Sequence, residues 1–392
     1  MKQYLNTLSS VTLACLMLVG LSSCGNGDAA GRDILTLDLE KQRDNTEEIR
    51  LSEFISDVTY IPLETTPECL ISRSREVYLL SDFIFVVERN GCFLFDRSTG
   101  SFIREIGRQG RGPGEYTSFG FIDGERHEIF LSDYKGTLLR YNLSGELTGS
   151  LTVPGRSESS HILSSARLDD KAYVSYYLNL FGDEERLAVI WDESGATIRI
   201  FRNRQFINQR KNLSFARSMG VLQRIDDRLI LNVWNNDTVF EVRRDTLLPY
   251  FILNRGEFCP PFDFFLRDVE EMSQMVEQKR VISNFNFRET DRFILFEIYS
   301  PVYFALYDKA QGSFRVAEKG EGLINDLGLP LQFYWSSITD GGEIPLIHRA
   351  EEVIKWLNEN PDAVASSPDI LENLRDVKPE DNPVVAIARI KK

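Results

Sequence analysis

A six-bladed β-propeller of four-stranded antiparallel blades, closed by an N-terminal strand in the last blade, is the fold that three features of this 392-residue sequence predict. Short apolar runs come in groups of four, separated by hairpin-type residues. An aromatic residue beside Asp or Asn recurs before the last hairpin of a group, at Phe95-Asp96, Tyr141-Asn142, Trp191-Asp192 and Tyr307-Asp308. The first three of these turns are spaced by about 46 to 50 residues, the period of a propeller blade.

The chain opens with Lys2, an apolar segment from Leu13 to Leu21 and then Leu21-Ser22-Ser23-Cys24. The apolar core is too short for a membrane span of about 20 residues. Small residues directly before a cysteine suit lipoprotein signal processing. Residues 1–23 are therefore expected to be a signal peptide and Cys24 the lipidated first residue of the mature chain. Residues 24–50 are expected to be a flexible tether, small and polar at Gly25-Asn26-Gly27-Asp28-Ala29-Ala30-Gly31. The propeller is expected over 51–392.

Asp57 to Leu63 alternates like a strand, with Pro62 suited to an edge. The first group of four follows, at Leu70 to Leu79, Phe83 to Glu88, Cys92 to Asp96 and Phe102 to Ile106. The second runs through Tyr116 to Asp123, Glu128 to Asp133, Leu138 to Asn142 and Leu147 to Val153, and the third through Ile162 to Leu168, Ala172 to Leu178, Leu187 to Asp192 and Thr197 to Phe201. The fourth is Ser218 to Ile225, Arg228 to Trp234, Thr238 to Val242 and Thr246 to Leu253, with a last hairpin, Arg243-Arg244-Asp245, that lacks glycine. Before the fifth group, Phe265, Val269, Met272 and Val276 recur at helical spacing after Cys259-Pro260-Pro261. They predict a helical insertion at about 260–279 whose Met and Phe positions form a packing stripe.

The fifth group is Val281 to Phe287, Phe293 to Ile298, Val302 to Tyr307 and Ser313 to Glu318. The sixth offers only Leu331 to Ile338, Glu343 to His348 and Pro383 to Ile390, interrupted by a short helix at Glu351 to Glu359 and a polar stretch at Asp362 to Asp381. Its missing fourth strand is supplied by Asp57 to Leu63, which leaves no sheet edge open at the seam.

The formal net charge is −14, and removal of Lys2 with the signal lowers it by one unit. Acids and bases are interspersed, so the surface repels nucleic acid and no nucleic-acid partner is expected. Once Cys24 is acylated, Cys69, Cys92 and Cys259 remain in the mature chain. Cys69 and Cys92 are placed at the starts of the first and third strands of one sheet, too far apart for a bridge, so free and mostly buried thiols are expected. His127, His161 and His348 are scattered without an HExxH arrangement, and no metal site is expected from them.

The loop Gly107-Arg108-Gln109-Gly110-Arg111-Gly112-Pro113-Gly114-Glu115-Tyr116 is the stretch whose composition demands a special backbone. It lacks the Lys-Ser/Thr of a phosphate-binding P-loop, and Pro113-Gly114 opposes an immediate helix start. It reads first as a blade connection, with Glu115 pairing Arg108 or Arg111 and Tyr116 packing inward. The ligand-contacting alternative uses Arg108 and Arg111 as planar donors for a carboxylate or sugar, beside Glu115 and Tyr116.

Ile61-Pro62-Leu63-Glu64-Thr65, the glycine loop and Asp381-Asn382-Pro383-Val384-Val385 together resemble the six-bladed β-propeller lipoproteins of Bacteroides-type bacteria, related in fold to propellers with NHL repeats. The resemblance covers nearly the whole mature chain and implies the fold, while the family carries little assigned chemistry. By similarity to other lipoproteins, Gly25 after the cysteine implies the outer membrane rather than inner-membrane retention.

Asp82, Asp123, Asp133, Asp169, Asp170, Asp226, Asp227 and Asp291 lie near strand ends and read mostly as hairpin residues bonding their own backbone. No sialidase box, nucleophile elbow or EF-hand loop is present. The sequence points to a noncatalytic binding or scaffolding lipoprotein of the cell envelope. Its expected partner is a carbohydrate, a peptide or an envelope protein met through one face of the ring, with no cofactor. The alternative is a hydrolase or lyase that uses carboxylates at the axial channel, with calcium as its metal.

Overall fold

The computed structural model describes residues 33–392 apart from 73, 89–90, 156–160, 180–181, 207–220, 262–263, 265–266, 279–280, 283, 300–302, 319, 321, 328–329, 332–341 and 367–370. The signal segment, Cys24 and the first part of the tether lie outside the described residues, as do Phe265 and all of Leu331 to Ile338 beyond Leu331.

Six blades form the ring. Blade one is Ser74–Leu80, Phe83–Glu88, Cys92–Asp96 and Phe102–Glu105, and blade two is Ser118–Asp123, Glu128–Ser132, Thr137–Asn142 and Leu147–Thr152. Blade three is His161–Asp169, Ala172–Leu178, Arg186–Trp191 and Thr197–Arg202, and blade four is Leu222–Ile225, Arg228–Asn232, Thr238–Val242 and Leu247–Asn254. Blade five is Asn284–Glu289, Phe293–Tyr299, Tyr303–Asp308 and Ser313–Glu318. All neighbours within these blades pair antiparallel.

The repeated aromatic-acid turns form for a local reason. Asp96 Oδ1 accepts the backbone N–H groups of Ser98 and Thr99, both at 2.9 Å, and Asn142 Oδ1 accepts that of Glu146 at 3.0 Å. Asp192 and Asp308 repeat the arrangement with Ser194 and Ala310, at 2.9 and 2.8 Å. Each short polar side chain closes its own turn, while the aromatic before it lies in the strand. Phe95 and Trp191 are buried in the blades.

Blade six shows how the ring closes. Its described strands are Glu343–His348, Val384–Ile390 and Ile55–Pro62, in that order across the sheet. Glu343 meets Arg97, whose backbone N–H donates to the carbonyl of Asp82 at the inner hairpin of blade one. The strand from Glu343 thus starts at the end of the ring where inner strands finish, which is the second position of a blade. Val384–Ile390 is then third and Ile55–Pro62 fourth, joined in register from Val384↔Pro62 to Ile390↔Ile55. The N-terminal strand closes the ring as the pattern predicts.

Two expectations need correction. The tether does not extend to residue 50, because Leu35–Asp38 adds to the outer strand of blade four in parallel, from Leu35↔Phe251 to Asp38↔Asn254. Leu37 and Leu39 are buried in one core cluster with Phe251 and Leu253, and Ile49–Arg50 pairs with Leu323–Ile324. Burial of these leucines outweighs the polar character of the surrounding segment. Cys69 stands in a turn before blade one rather than at the start of its first strand, its N–H donating to the Thr66 carbonyl at 3.1 Å. The polar 362–381 stretch overlaps a helix, Pro361–Ser366, and holds a 3₁₀ turn, Glu372–Leu374, with Leu371 and Leu374 in one core cluster with Val353.

The short helix before it spans Ala350–Glu359. The helical insertion is the 3₁₀ turn Gly256–Phe258 and the helix Val269–Glu277, begun by Asp268, whose Oδ1 accepts the Glu271 N–H at 2.8 Å. Met272, Met275 and Val276 pack it on Trp234, Phe264 and Val281, so these methionines form a packing stripe. Cys69, Cys92 and Cys259 are free thiols, the first two buried. Among the described residues no helix is long and apolar enough to cross a membrane.

Candidate functional site

The inner strands surround an axial cavity of about 1010 Å³. The first strands of blades one to five each contribute side chains to this space. Blade one brings Glu76 and Tyr78, blade two Phe119 and Asp123, blade three Arg167, blade four Gln223 and Arg224, and blade five Arg288 and Glu289.

The charges on this wall are largely matched. Arg167, 5% exposed, binds Asp123 and reaches Glu128 at 2.5 Å, and its guanidinium lies 4.8 Å from the ring centre of Tyr173. Burial works against the Arg167 cation, yet its bond to Asp123 holds its pKa above the ordinary arginine value. Lys309 Nζ donates to Glu289 at 2.6 Å, and Tyr250 donates to the same carboxylate at 2.8 Å. Glu343 is pushed up by burial but held below its ordinary pKa by hydrogen bonds from Arg97 at 2.7 Å and Arg389 at 3.2 Å. Among the described residues no cluster of three or more His, Cys, Asp or Glu could hold a metal ion.

A second group spans the axis between blades one, four and five. Arg288 Nη1 donates to Gln223 Oε1 at 3.3 Å and to its neighbour's carbonyl, at Phe287, at 2.8 Å. The Tyr78 hydroxyl donates to the Glu76 carboxylate, and the Tyr78 and Phe119 rings lie 5.5 Å apart. Burial raises the Tyr78 pKa well above the usual phenol value, with Glu76 adding to it. Burial also pulls Arg288 below its ordinary value, partly offset by Tyr78, Tyr299, Glu297 and Glu76.

The glycine loop meets the other end of the cavity. Its path is fixed by paired backbone bonds, Tyr116 N–H to Arg108 C=O and Gly110 N–H to Tyr116 C=O, both 2.9 Å. Gly107 has φ of +69°, and a Cβ there would press on Tyr141, Leu131 and Tyr116 at 3.1 to 3.2 Å. Glu115 accepts the Gly112 N–H at 2.7 Å and pairs with Arg108 at 3.4 Å. Tyr116 is 3% exposed and packs with Ile106, Leu131 and Tyr141 while lining the cavity. Burial raises its hydroxyl pKa, and burial pushes the adjacent Cys92 thiol up to about 12.

Of the four loop residues singled out from the sequence, only Tyr116 lines the cavity. Arg108 and Arg111 are exposed on the loop surface, and Glu115 holds the loop together. The structure does not bring these four into one site. Of the aspartates, Asp123, Asp226 and Asp291 line the cavity. Asp133 instead caps its own turn through Lys135 N–H at 2.8 Å, and Asp169 binds Arg244 at 2.6 Å. Glu76, Tyr78, Gln109, Gln223 and Arg288 escaped the sequence reading. For all but Gln109, which lies in the glycine loop, the signal is a polar side chain in the first strand of a blade.

A family model described as "Domain of unknown function (DUF4934)" matches residues 34–389. No curated protein matches the chain. Among solved structures, one of a protein described as exported, from Bacteroides fragilis, superposes with a TM-score of 0.68 at 18% identity, covering 92% of this chain and 100% of its own. That likeness supports the propeller fold. The WD40 β-propeller domain of Doa1 gives a TM-score of 0.38 at 12% identity over 86% of this chain and 97% of its own, too low to carry an argument.

Proposed function

Since the chain belongs to this family of unknown function, we propose from the site itself that it is a noncatalytic binding protein of the cell envelope that takes its ligand into one end of the axial channel. The observation that carries this reading is the cavity of about 1010 Å³, walled by hydrogen-bonding and charged side chains from successive blades. The candidate ligands are a carbohydrate, a peptide or a segment of an envelope protein. The lipid at Cys24 and a place at the outer membrane belong to the same proposal. The signal-like first residues support them, as does the description of the B. fragilis neighbour as exported. The reading calls for no cofactor.

Carboxylates do line the channel, which is what a hydrolase or lyase would draw on. Asp123, Glu289 and Glu343 are each engaged by a basic partner, and general acid–base work needs a carboxyl whose proton is free to move. Binding therefore accounts for the wall better than turnover.

The test is a ligand screen by thermal shift and titration on the wild type and on Ser118→Trp, which adds bulk to an exposed cavity residue. Ligands lost in the variant place binding in the channel. Ligands bound equally by both put it elsewhere, and substrate turnover by the wild type overturns the noncatalytic reading.

A further inference from the structure

Resting on the channel reading above, we propose that the channel takes a hydroxylated monocarboxylate, a sugar acid, gripped by Arg288 and Gln223 and read on its hydroxyls by Glu76.

Four features of the wall fit that chemistry. Arg288 presents a planar guanidinium on the cavity surface, a charged donor that suits a carboxylate. Gln223, bound to Arg288 at 3.3 Å through its oxygen, places an amide beside that guanidinium. Its Nε2 is buried without a hydrogen-bond partner, a donor that small movement of the amide would offer to the same carboxylate. Glu76 is exposed to the cavity, and an ionised carboxylate only accepts, which suits hydroxyl donors. The paired rings of Tyr78 and Phe119 supply a wall for the C–H face of a sugar ring.

Charge sets the limit on the ligand. On this wall the Arg288 guanidinium is placed to meet a single anionic group. A second carboxylate would meet Glu76, so polyanions are repelled. The cavity, about 1010 Å³, lies at the upper end of the roughly 300–1,000 Å³ common for small-molecule sites, and a sugar acid fits within it.

The test is isothermal titration of the purified mature chain in detergent with glucuronate, glucose and citrate as probes. Glucuronate is expected to bind, with glucose and citrate each at least about tenfold weaker, because glucose lacks the charge that Arg288 meets and citrate brings further carboxylates against Glu76. Arg288→Gln should abolish the preference for glucuronate over glucose, and Glu76→Gln should relieve the penalty on citrate. Unchanged melting of both variants shows that the fold is intact. Should Arg288→Gln fail to fold, Gln223→Leu is the second probe, expected to weaken glucuronate about tenfold or less. Equal or better binding of glucose, a preference that survives Arg288→Gln, or no heat with glucuronate overturns the proposal. A neutral ligand lost in Ser118→Trp while no carboxylate binds would sink this inference and leave the channel reading standing.

Discussion

Asn382 holds Ile71 through a hydrogen bond of 2.8 Å from the Ile71 backbone N–H to its side-chain oxygen, across the seam of the ring. Its Nδ2 donates to the carbonyls of Glu64 at 2.6 Å and Cys69 at 2.8 Å, and its own N–H donates to Thr65 Oγ1 at 2.8 Å. One side chain, 2% exposed, thereby satisfies three backbone groups of the turn between blades six and one. Asn382→Ala strands those groups without water and should cost roughly 2–4 kcal/mol, seen as a lower urea midpoint with an unchanged m-value. A midpoint within error of the wild type would show that the turn is held by other contacts.

Removal of the closing strand should be far more damaging than removal of the added one. Deletion through Asp38 uncovers the outer edge of blade four and the buried Phe251 and Leu253 that pack with Leu37, and a folded chain of lower melting temperature is expected. Deletion through Pro62 leaves Val384–Ile390 without its partner and exposes Val384, Ala386 and Ile390, which pack with Phe54, Val58 and Tyr60, and loss of cooperative melting is expected. Calorimetry on both deletions checks the order.

His348 makes stability depend on pH. It is 3% exposed, and burial lowers its pKa from 6.5 to about 4, with Glu352 opposing the shift. The folded state therefore prefers the neutral ring. Its contribution is complete above pH 6.5 and falls as pH drops toward 4, by about 1.4 kcal/mol per unit and roughly 3 kcal/mol across the window. His348→Gln should flatten the urea-derived stability profile by about one proton between those limits, and an unaltered slope would show that the ring is protonated when folded.

The Arg167 ion group should behave as a unit. Arg167→Met leaves Asp123 as a buried charge without its partner and should cost about 3–5 kcal/mol. Combination with Asp123→Asn should recover part of that loss, since the neutral amide is cheaper to bury. Additive losses in the double variant would argue against the coupling.

How much of this was legible beforehand follows from the range of each interaction. Asp96, Asn142, Asp192 and Asp308 close turns with residues two to four positions on, so the last hairpins of blades one, two, three and five stand in the local sequence. Asn382 was noticed as part of a motif, but its partners at Glu64 and Cys69 are more than three hundred residues away, so its role was not legible. Leu35–Asp38 is too short to show alternation, and its strand character comes from Phe251 to Asn254 beside it. The cavity was hidden for a different reason. Tyr78, Gln223 and Arg288 are single polar residues on separate blades, and only ring closure brings them together. The glycine loop drew attention because unusual backbone leaves a compositional mark, whereas a ligand wall of ordinary strands leaves almost none.

The seam between Ile55–Pro62 and Val384–Ile390 also means that the chain tests its own completeness. The strand that finishes blade six comes early in the sequence, and the strand it must join lies more than three hundred residues further on. No product that lacks Val384–Ile390 can complete the ring, whether it ends through a premature stop or loses that strand to a protease. A truncated molecule keeps an open sheet edge and the exposed leucines and valines behind it, the marks by which quality control recognises failed chains.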